Sequence, residues 1–178
     1  MRVGSRQAGF SLIEVMVSLV VVSLGMLGLA GLLINGVAAT KTSQLRNAAS
    51  LQVTSLADAM SANRRFWGDT ELGEISFTAQ GTVIESQQNI DLGVSADCLN
   101  AACSAHHLAA YDVRTWLAAL DNQLPDARSQ VHCSVNFDAK NCHATVKWNE
   151  KYYSGSQSDA ADSAATGGER QYSQFITP

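Results

Sequence analysis

Charge and proline are both scarce in the N-terminal part of this sequence. Between Arg6 and Lys41 the only formally charged side chain is the carboxylate of Glu14, and no proline occurs before Pro125. A stretch without proline contains no residue that must break a helix. Residues 15–34 carry no charge, and a helix needs about 20 such residues to cross the hydrocarbon core of a membrane. These absences predict a long, membrane-length helix at the N-terminus.

The signatures of several functional classes are missing as well. The 12 Lys and Arg residues against 16 Asp and Glu residues give a net charge of −4 without a basic patch, so nucleic acid is not an expected partner. The sequence shows no nucleophile motif, no glycine-rich phosphate loop and no convincing carboxylate pair for catalysis. We therefore expect a protein that is not an enzyme and that uses no cofactor.

The apolar segment allows three interpretations. A cleaved secretory signal peptide would have a shorter apolar core, with its small-residue cleavage site at Val37–Ala39. A plain signal anchor accounts for the length but not for Glu14, because a carboxylate inside a membrane costs about 2.5–3.5 kcal/mol and usually has a partner. The third interpretation, a type IV prepilin leader, accounts for both features.

A prepilin leader is indicated by one short motif. The basic segment Met1–Gly9 ends in glycine, and Gly9–Val15 reads GFSLIEV, which resembles the prepilin signal residue for residue. The resemblance implies that a prepilin peptidase cuts between Gly9 and Phe10 and N-methylates Phe10, and that the apolar helix is kept. It also implies that Glu14 pairs with the N-terminal amine of a neighbouring subunit, since pairing offsets the cost of two charges in an apolar core. Alternatively, Glu14 lies at headgroup depth and is solvated.

The flanking charges and the cysteines predict where the chain is located. Arg2 and Arg6 before the apolar segment favour a cytoplasmic N-terminus, although Lys41 and Arg46 after it weaken that preference. Four cysteines follow the segment, and an even number of cysteines in a small domain is typical of an oxidising compartment. These features predict a single-pass inner-membrane protein with its N-terminus in the cytoplasm. The prepilin resemblance implies later assembly into an extracellular pilus.

The N-terminal helix is predicted to continue past the membrane to about Ala62. Apolar residues recur there every three to four positions and form one helix face: Leu45, Ala49, Val53, Leu56 and Met60. Four glycines interrupt the apolar half: Gly25, Gly28, Gly31 and Gly36. We favour close helix–helix packing through these small residues over local unwinding in a filament.

Residues 63–178 are predicted to form a globular head. Short segments rich in β-branched and aromatic residues indicate strands at Ile75–Phe77, Thr82–Ile84, Val131–Phe137, Thr145–Trp148 and Tyr172–Thr177. A helical period with Asp112 as candidate N-cap and Pro125 just after its end predicts one further helix. Residues 154–169 have almost no bulky apolar side chains and are predicted to be a mobile loop. We expect Trp67, Trp116 and Trp148 to lie in the core of the head or on a face of its sheet.

The expected fold class is α+β, with a long N-terminal helix packed on an antiparallel β-sheet head, as in type IV pilins. The first half of the helix would span the membrane and the second half would be amphipathic. The expected domains are a cleaved leader at 1–9, a transmembrane and assembly half at 10–39, an amphipathic half at 40–62, and the head at 63–178.

Within this superfamily the chain most resembles the PilV-type minor pilins. The residues that carry the resemblance are Ser23–Ala30, Arg46–Ala49, Tyr111–Val113, Trp116, Leu120, Leu124–Pro125 and Val146–Trp148. Asp126 departs from the pattern, because a glycine is expected there. The resemblance implies a minor pilin that primes pilus assembly at the tip, and hence twitching motility and adhesion. The implied partners are prepilin peptidase, other minor pilins, the major pilin, the inner-membrane assembly platform and a large tip adhesin.

Two alternative functions are kept. A minor pseudopilin of a type II secretion system would share the leader, Glu14 and the fold. A signal-anchored periplasmic binding module that never polymerises would share only the membrane segment. We prefer the pilus because the resemblance extends beyond the leader.

The cysteines are expected to form disulfides. We prefer the pairs Cys98–Cys103 and Cys133–Cys142, the second of which would close a hairpin around a turn at Asp138–Asn141, although four cysteines allow three connectivities. The alternative is zinc, because histidines lie nearby in the sequence: His106, His107, His132 and His143. An oxidising compartment favours disulfides, so no metal site is expected.

Overall fold

The computed structural model describes residues 11–95, 97–136, 139–150 and 168–178. Its helices are α1 (Leu12–Ala62), α2 (Arg64–Trp67) and α3 (Ala105–Gln123). Its strands are β1 (Ile75–Gln80), β2 (Val83–Gln88), β3 (Arg128–Asn136), β4 (Ala139–Glu150) and β5 (Gly168–Ile176). The strands form one antiparallel sheet in the order β2-β1-β3-β4-β5. The predicted α+β class, with a type IV pilin-like arrangement of helix and sheet, is confirmed.

The chain divides into two compact units on either side of the Thr40–Lys41 bond. In the first unit, the large apolar side chains of α1 from Leu12 to Leu33 are exposed. The second unit contains the hydrophobic core. The end of α1 at Ala62 confirms the predicted length of the N-terminal helix, whereas the predicted domain boundaries stay predictions.

The predicted apolar face of α1 forms part of the core of the second unit. Ala49, Val53, Leu56 and Met60 are each at most 1% exposed, and burial of a large aliphatic side chain stabilises a fold by about 1.5–3 kcal/mol. The core cluster also contains α3 residues and all three tryptophans, as predicted. The indole nitrogen of Trp116 donates to the Gln52 carbonyl at 2.8 Å and so links α3 to α1.

Strand β4 shows how the sheet separates its two faces. Its inward-facing positions alternate with outward ones along the whole strand, as a pleated strand requires. Apolar residues occupy the middle of the inward row, and charged residues occupy its two ends, Lys140 and Glu150. The Lys140 ammonium donates to the Asp69 carbonyl at 2.8 Å, and burial lowers the pKa of this lysine.

Two local predictions are wrong, and a third, the mobile loop at 154–169, lies outside the described residues except for Gly168 and Glu169, which belong to β5. Helix α3 begins at Ala105 rather than after Asp112, and its N-cap is Ser104, whose hydroxyl accepts from the His107 N–H at 3.2 Å. The early turns bury Ala109 and Ala110, which are too small to stand out in a pattern of large apolar residues.

The second correction concerns the β3–β4 hairpin. The turn was predicted at Asp138–Asn141, but Ala139–Asn141 belong to β4 and pair with Ser134–Asn136. The register places Cys133 opposite Cys142, and antiparallel pairing continues outward from that point until only residues 137–138 connect the strands. The glycine expected after Pro125 is replaced by Asp126 with a φ of 54°.

Candidate functional site

The candidate functional site is the start of α1. The Ser11 carbonyl accepts the N–H groups of Glu14 and Val15 at 3.1 and 3.3 Å, which opens the helix. Glu14 therefore lies in the first helical turn and its side chain is exposed. A carboxylate is favoured there because the free N–H groups of a helix make its N-terminus partly positive.

Other polar side chains in this part of α1 are satisfied by the helix itself. The Ser18 hydroxyl donates to the Val15 carbonyl at 2.9 Å, and the Ser23 hydroxyl donates to the Leu19 carbonyl at 2.8 Å. Such bonds let a serine sit in an apolar environment without an external partner. A carboxylate has no donor of its own, so Glu14 needs a cation or water from outside its helix.

The surface of α1 that follows Glu14 is predominantly apolar. Leu12 is 79% exposed and Leu33 is 69% exposed, and Leu12–Leu33 is long and apolar enough to cross a membrane by length and composition. Among the described residues, nothing other than the adjacent residues and the helix's own backbone lies within 4 Å of a Cβ built at Gly25, Gly28 or Gly31. The small size of these glycines therefore serves no packing within the described chain.

These features define what the segment can do. Such a large exposed apolar surface is unfavourable in water and marks a membrane or protein interface. A carboxylate at the edge of this surface becomes costly once the surface is covered, unless a positive charge accompanies it. Gly9 and Phe10 lie outside the described residues, so cleavage between them and pairing of Glu14 with the amine of Phe10 stay predictions.

Comparison with known protein families supports the leader. Residues 4–30 match the family model for the prokaryotic N-terminal methylation motif. No curated protein and no solved structure matches the chain. The match supports a member of the type IV pilin or pseudopilin family, and it implies processing by prepilin peptidase and assembly into a pilus or pseudopilus. Together with the apolar helix, it is consistent with a membrane-anchored pilin.

The cysteines form the two disulfides that sequence analysis preferred, Cys98–Cys103 and Cys133–Cys142. The second disulfide is buried in the core, whereas Cys98 and Cys103 are half-buried. Because all four thiols are used in disulfides, none is available as a zinc thiolate. In the described ranges, no three His, Cys, Asp or Glu side chains come together as metal ligands.

Sequence analysis missed the buried carboxylate of Glu150. Its Oε1 accepts from the Trp148 indole nitrogen at 3.2 Å and from Arg46 Nε at 3.4 Å, and its Oε2 lies 3.6 Å from Arg170 Nε. Glu150 thus connects α1, β4 and β5. The sequence does contain a signal for burial of Glu150. It lies two and four residues after the inward-facing Trp148 and Val146, so the alternation along a strand places it on the same face.

Proposed function

We propose that this chain is a minor pilin of a type IV pilus with a structural, non-enzymatic role. Prepilin peptidase removes the leader after Gly9, and α1 holds the processed chain in the inner membrane with its N-terminus in the cytoplasm. The chain then joins other minor pilins near the tip, on the assembly platform, and primes polymerisation of the major pilin. Twitching motility and adhesion, including presentation of a large tip adhesin, follow from that role.

The observation that carries the proposal is the single carboxylate at the start of the exposed apolar segment of α1. Glu14 is the only charged residue among residues 11–40, and it lies within the matched methylation motif. In a filament the helices of neighbouring subunits would cover the apolar surface. Glu14 would then meet the amine of a neighbouring Phe10, which sets the register between subunits because each charge is costly alone.

Resemblance in the head favours a pilus over a type II secretion pseudopilus. The residues of that resemblance occupy structural positions, since Trp116 links α3 to α1 and Trp148 donates to Glu150. The discriminating experiment uses a deletion strain, with surface pilin recovered by shearing and secreted-protein activity assayed in the same culture. We expect loss of sheared pilin with normal secretion. Intact pili with lost secretion would contradict the pilus role and indicate the pseudopilus.

Replacement of Glu14 by alanine tests the docking role. We expect the Glu14→Ala protein to insert normally into the inner membrane. Its amount in sheared filaments should fall at least about tenfold, because the substitution removes a charge pair from an apolar environment. Quantitative immunoblotting of membrane and sheared fractions measures both quantities. Ser18→Ala is the matched control, because the Ser18 hydroxyl is satisfied within its own helix. Normal incorporation of Glu14→Ala would contradict the docking role and favour a plain anchor.

A further inference from the structure

Two histidines lie directly opposite each other on the outward face of the sheet. His132 of β3 pairs with His143 of β4. The residues on either side of each histidine are buried on the inward face, so both imidazoles point outward. Side chains paired across antiparallel strands have Cβ atoms about 4.5–5.5 Å apart. The two imidazoles are therefore neighbours, and both are partly exposed to solvent.

A disulfide fixes the spacing of the two strands beside this pair. Cys133 and Cys142 are the sequence neighbours of His132 and His143, and they are opposed in the register and covalently joined. Both cysteines are buried on the inward face. The backbone that carries the two imidazoles is thus held by a covalent bond, and a site on a rigid element loses little conformational freedom when a ligand binds.

Each imidazole also has a neighbour that restrains it. Glu74 Oε1 lies 3.5 Å from His132 Nδ1, and a carboxylate at this position favours the tautomer with its proton on Nδ1, which leaves the Nε2 lone pair free. The ring of His143 lies against the ring of Phe175, with centroids 4.6 Å apart at an angle of 37°. This contact restricts His143 without a hydrogen bond to either ring nitrogen.

We propose that His132 and His143 together bind a divalent first-row transition-metal ion, with Cu²⁺ bound most tightly. Imidazole is a preferred ligand of these ions. Two nitrogens that each lie about 2.0–2.1 Å from one ion are about 3–3.5 Å apart, a spacing that cross-strand neighbours reach by rotation of their side chains.

The proposed site has two protein ligands. The described residues contain no group of three or more potential ligands, so water or another molecule completes the coordination. The site needs no thiolate and is therefore compatible with both disulfides. The proposal concerns the head alone and does not depend on filament assembly.

Titration of the full-length chain with Cu²⁺ in detergent tests this proposal. Cu²⁺ is the probe because it has the highest affinity for nitrogen sites among these ions, and electron paramagnetic resonance separates the bound ion from the free ion. We expect a saturable signal with hyperfine splitting from two imidazole nitrogens. Excess Mg²⁺ should not displace the bound Cu²⁺, because Mg²⁺ prefers oxygen ligands.

Variants then assign the bound ion to the histidine pair. His132→Ala and His143→Phe should each weaken Cu²⁺ binding at least about tenfold. The phenyl ring of His143→Phe keeps an aromatic contact with Phe175 and removes only the ligand nitrogens. Glu74→Gln should weaken binding less than either substitution, because Glu74 orients a ligand and does not provide one. All three substituted side chains are partly exposed or exposed, so the core stays intact.

The matched control is His107→Ala. His107 is exposed in the first turn of α3, and its sequence neighbour is also a histidine, but consecutive residues of a helix do not face each other. Its removal should leave Cu²⁺ binding unchanged. The proposal is overturned if no Cu²⁺ signal with imidazole nitrogen splitting is found, or if His132→Ala and His143→Phe bind Cu²⁺ like the unchanged protein. Loss of the signal in His107→Ala would also overturn it.

Discussion

At the scale of single residues, Asp126 shows how one position can accommodate an unusual backbone. Its φ of 54° is in the left-handed region, which costs most residues with a Cβ about 1–2 kcal/mol but is tolerated better by Asp and Asn. The Asp126 carboxylate accepts from Asn149 Nδ2 at 3.1 Å, and the Asn149 N–H donates to the Pro125 carbonyl at 3.1 Å. The turn is thereby fixed to β4.

Substitution of Asp126 should separate the backbone effect from the hydrogen bond. We expect Asp126→Ala to lower the free energy of unfolding by about 1 kcal/mol, because it keeps the Cβ and loses the hydrogen bond. Asp126→Gly should change the free energy of unfolding by less than about 0.5 kcal/mol. Glycine adopts the left-handed backbone without strain, and this gain offsets both the lost hydrogen bond and the greater freedom of the unfolded chain. Urea unfolding followed by tryptophan fluorescence measures both. Equal destabilisation by the two variants would show that the left-handed backbone is not the cause.

Asp112 gives a prediction of pH dependence. It lies inside α3, and burial raises its pKa above the ordinary value of 3.8. The folded state therefore binds this proton more tightly than the unfolded state, so the free energy of unfolding falls as the pH rises through the interval above 3.8. We expect Asp112→Asn to stabilise the protein at pH 7 by less than about 1 kcal/mol, since the group is only partly buried.

The stabilisation by Asp112→Asn should be absent at acidic pH. Below the pKa of 3.8 of the unfolded chain both states hold a neutral side chain, and the variant and the unchanged protein should unfold at the same urea concentration. Asp58→Asn, at an exposed position of α1, controls for the change in net charge. A gain for Asp112→Asn that stays constant from pH 3 to pH 7 would rule out the proposed cause.

At the scale of elements, α3 depends on a cap that lies next to a disulfide. Ser104 follows Cys103 and accepts from the His107 N–H, so the Cys98–Cys103 disulfide holds the chain at the point where the helix begins. The helix then extends 19 residues to Gln123. Because α3 supplies core residues from Ala109 to Leu120, weakening of its first turn should be measurable in the stability of the head.

Loss of this N-cap should cost about 1 kcal/mol. Ser104→Ala removes the side-chain acceptor at the helix start, which usually lowers the free energy of unfolding by about 0.5–2 kcal/mol. Ser104→Asp keeps an acceptor and should be close to neutral or slightly stabilising. Urea unfolding of the two variants in parallel provides the measurement. The cap would be unimportant if Ser104→Ala and Ser104→Asp were equally stable.

At the scale of the whole molecule, the buried residues of the described chain all lie beyond Thr40. The first of them in the sequence is Ala49, whereas the large side chains of Leu12–Leu33 are exposed. The exposed apolar surface and the buried core are therefore in different parts of the described chain. The apolar segment provides a surface for a membrane or other subunits, and the second unit provides the folding free energy.

A chain that starts at Lys41 should therefore fold without the apolar segment. We expect it to be monomeric on gel filtration without detergent and to unfold at the same urea concentration as the full chain in detergent. A chain that starts at Ala57 is the control, because it lacks Val53 and Leu56. Loss of these two side chains alone removes about 3–6 kcal/mol of burial, a large part of the 5–15 kcal/mol that stabilises a typical domain. Aggregation of the longer truncated chain would show that the core needs the apolar segment.

Much of the fold could be predicted because it follows from local periodicity. The single charge, the absence of proline and the recurrence of Leu45 to Met60 are all read along one helix, where residues three to four apart share a face. The prepilin leader is likewise a short continuous segment. The start of α3 is not apparent in the pattern, because its early turns bury only small alanines. The β3–β4 register and the partners of Glu150 depend on contacts between separate elements.

The sequence by itself determined the properties of the N-terminal segment. A proline-free apolar segment whose only charge is one carboxylate specifies an apolar helix through composition and order alone, and the Gly9-Phe10 pair before it predicts a processing site. Tertiary structure determined which side chains of the head lie next to one another. Only strand register brings His143 beside Phe175 and opposes Cys133 to Cys142, because pairing across a sheet depends on alignment between segments and not on the order of residues within one.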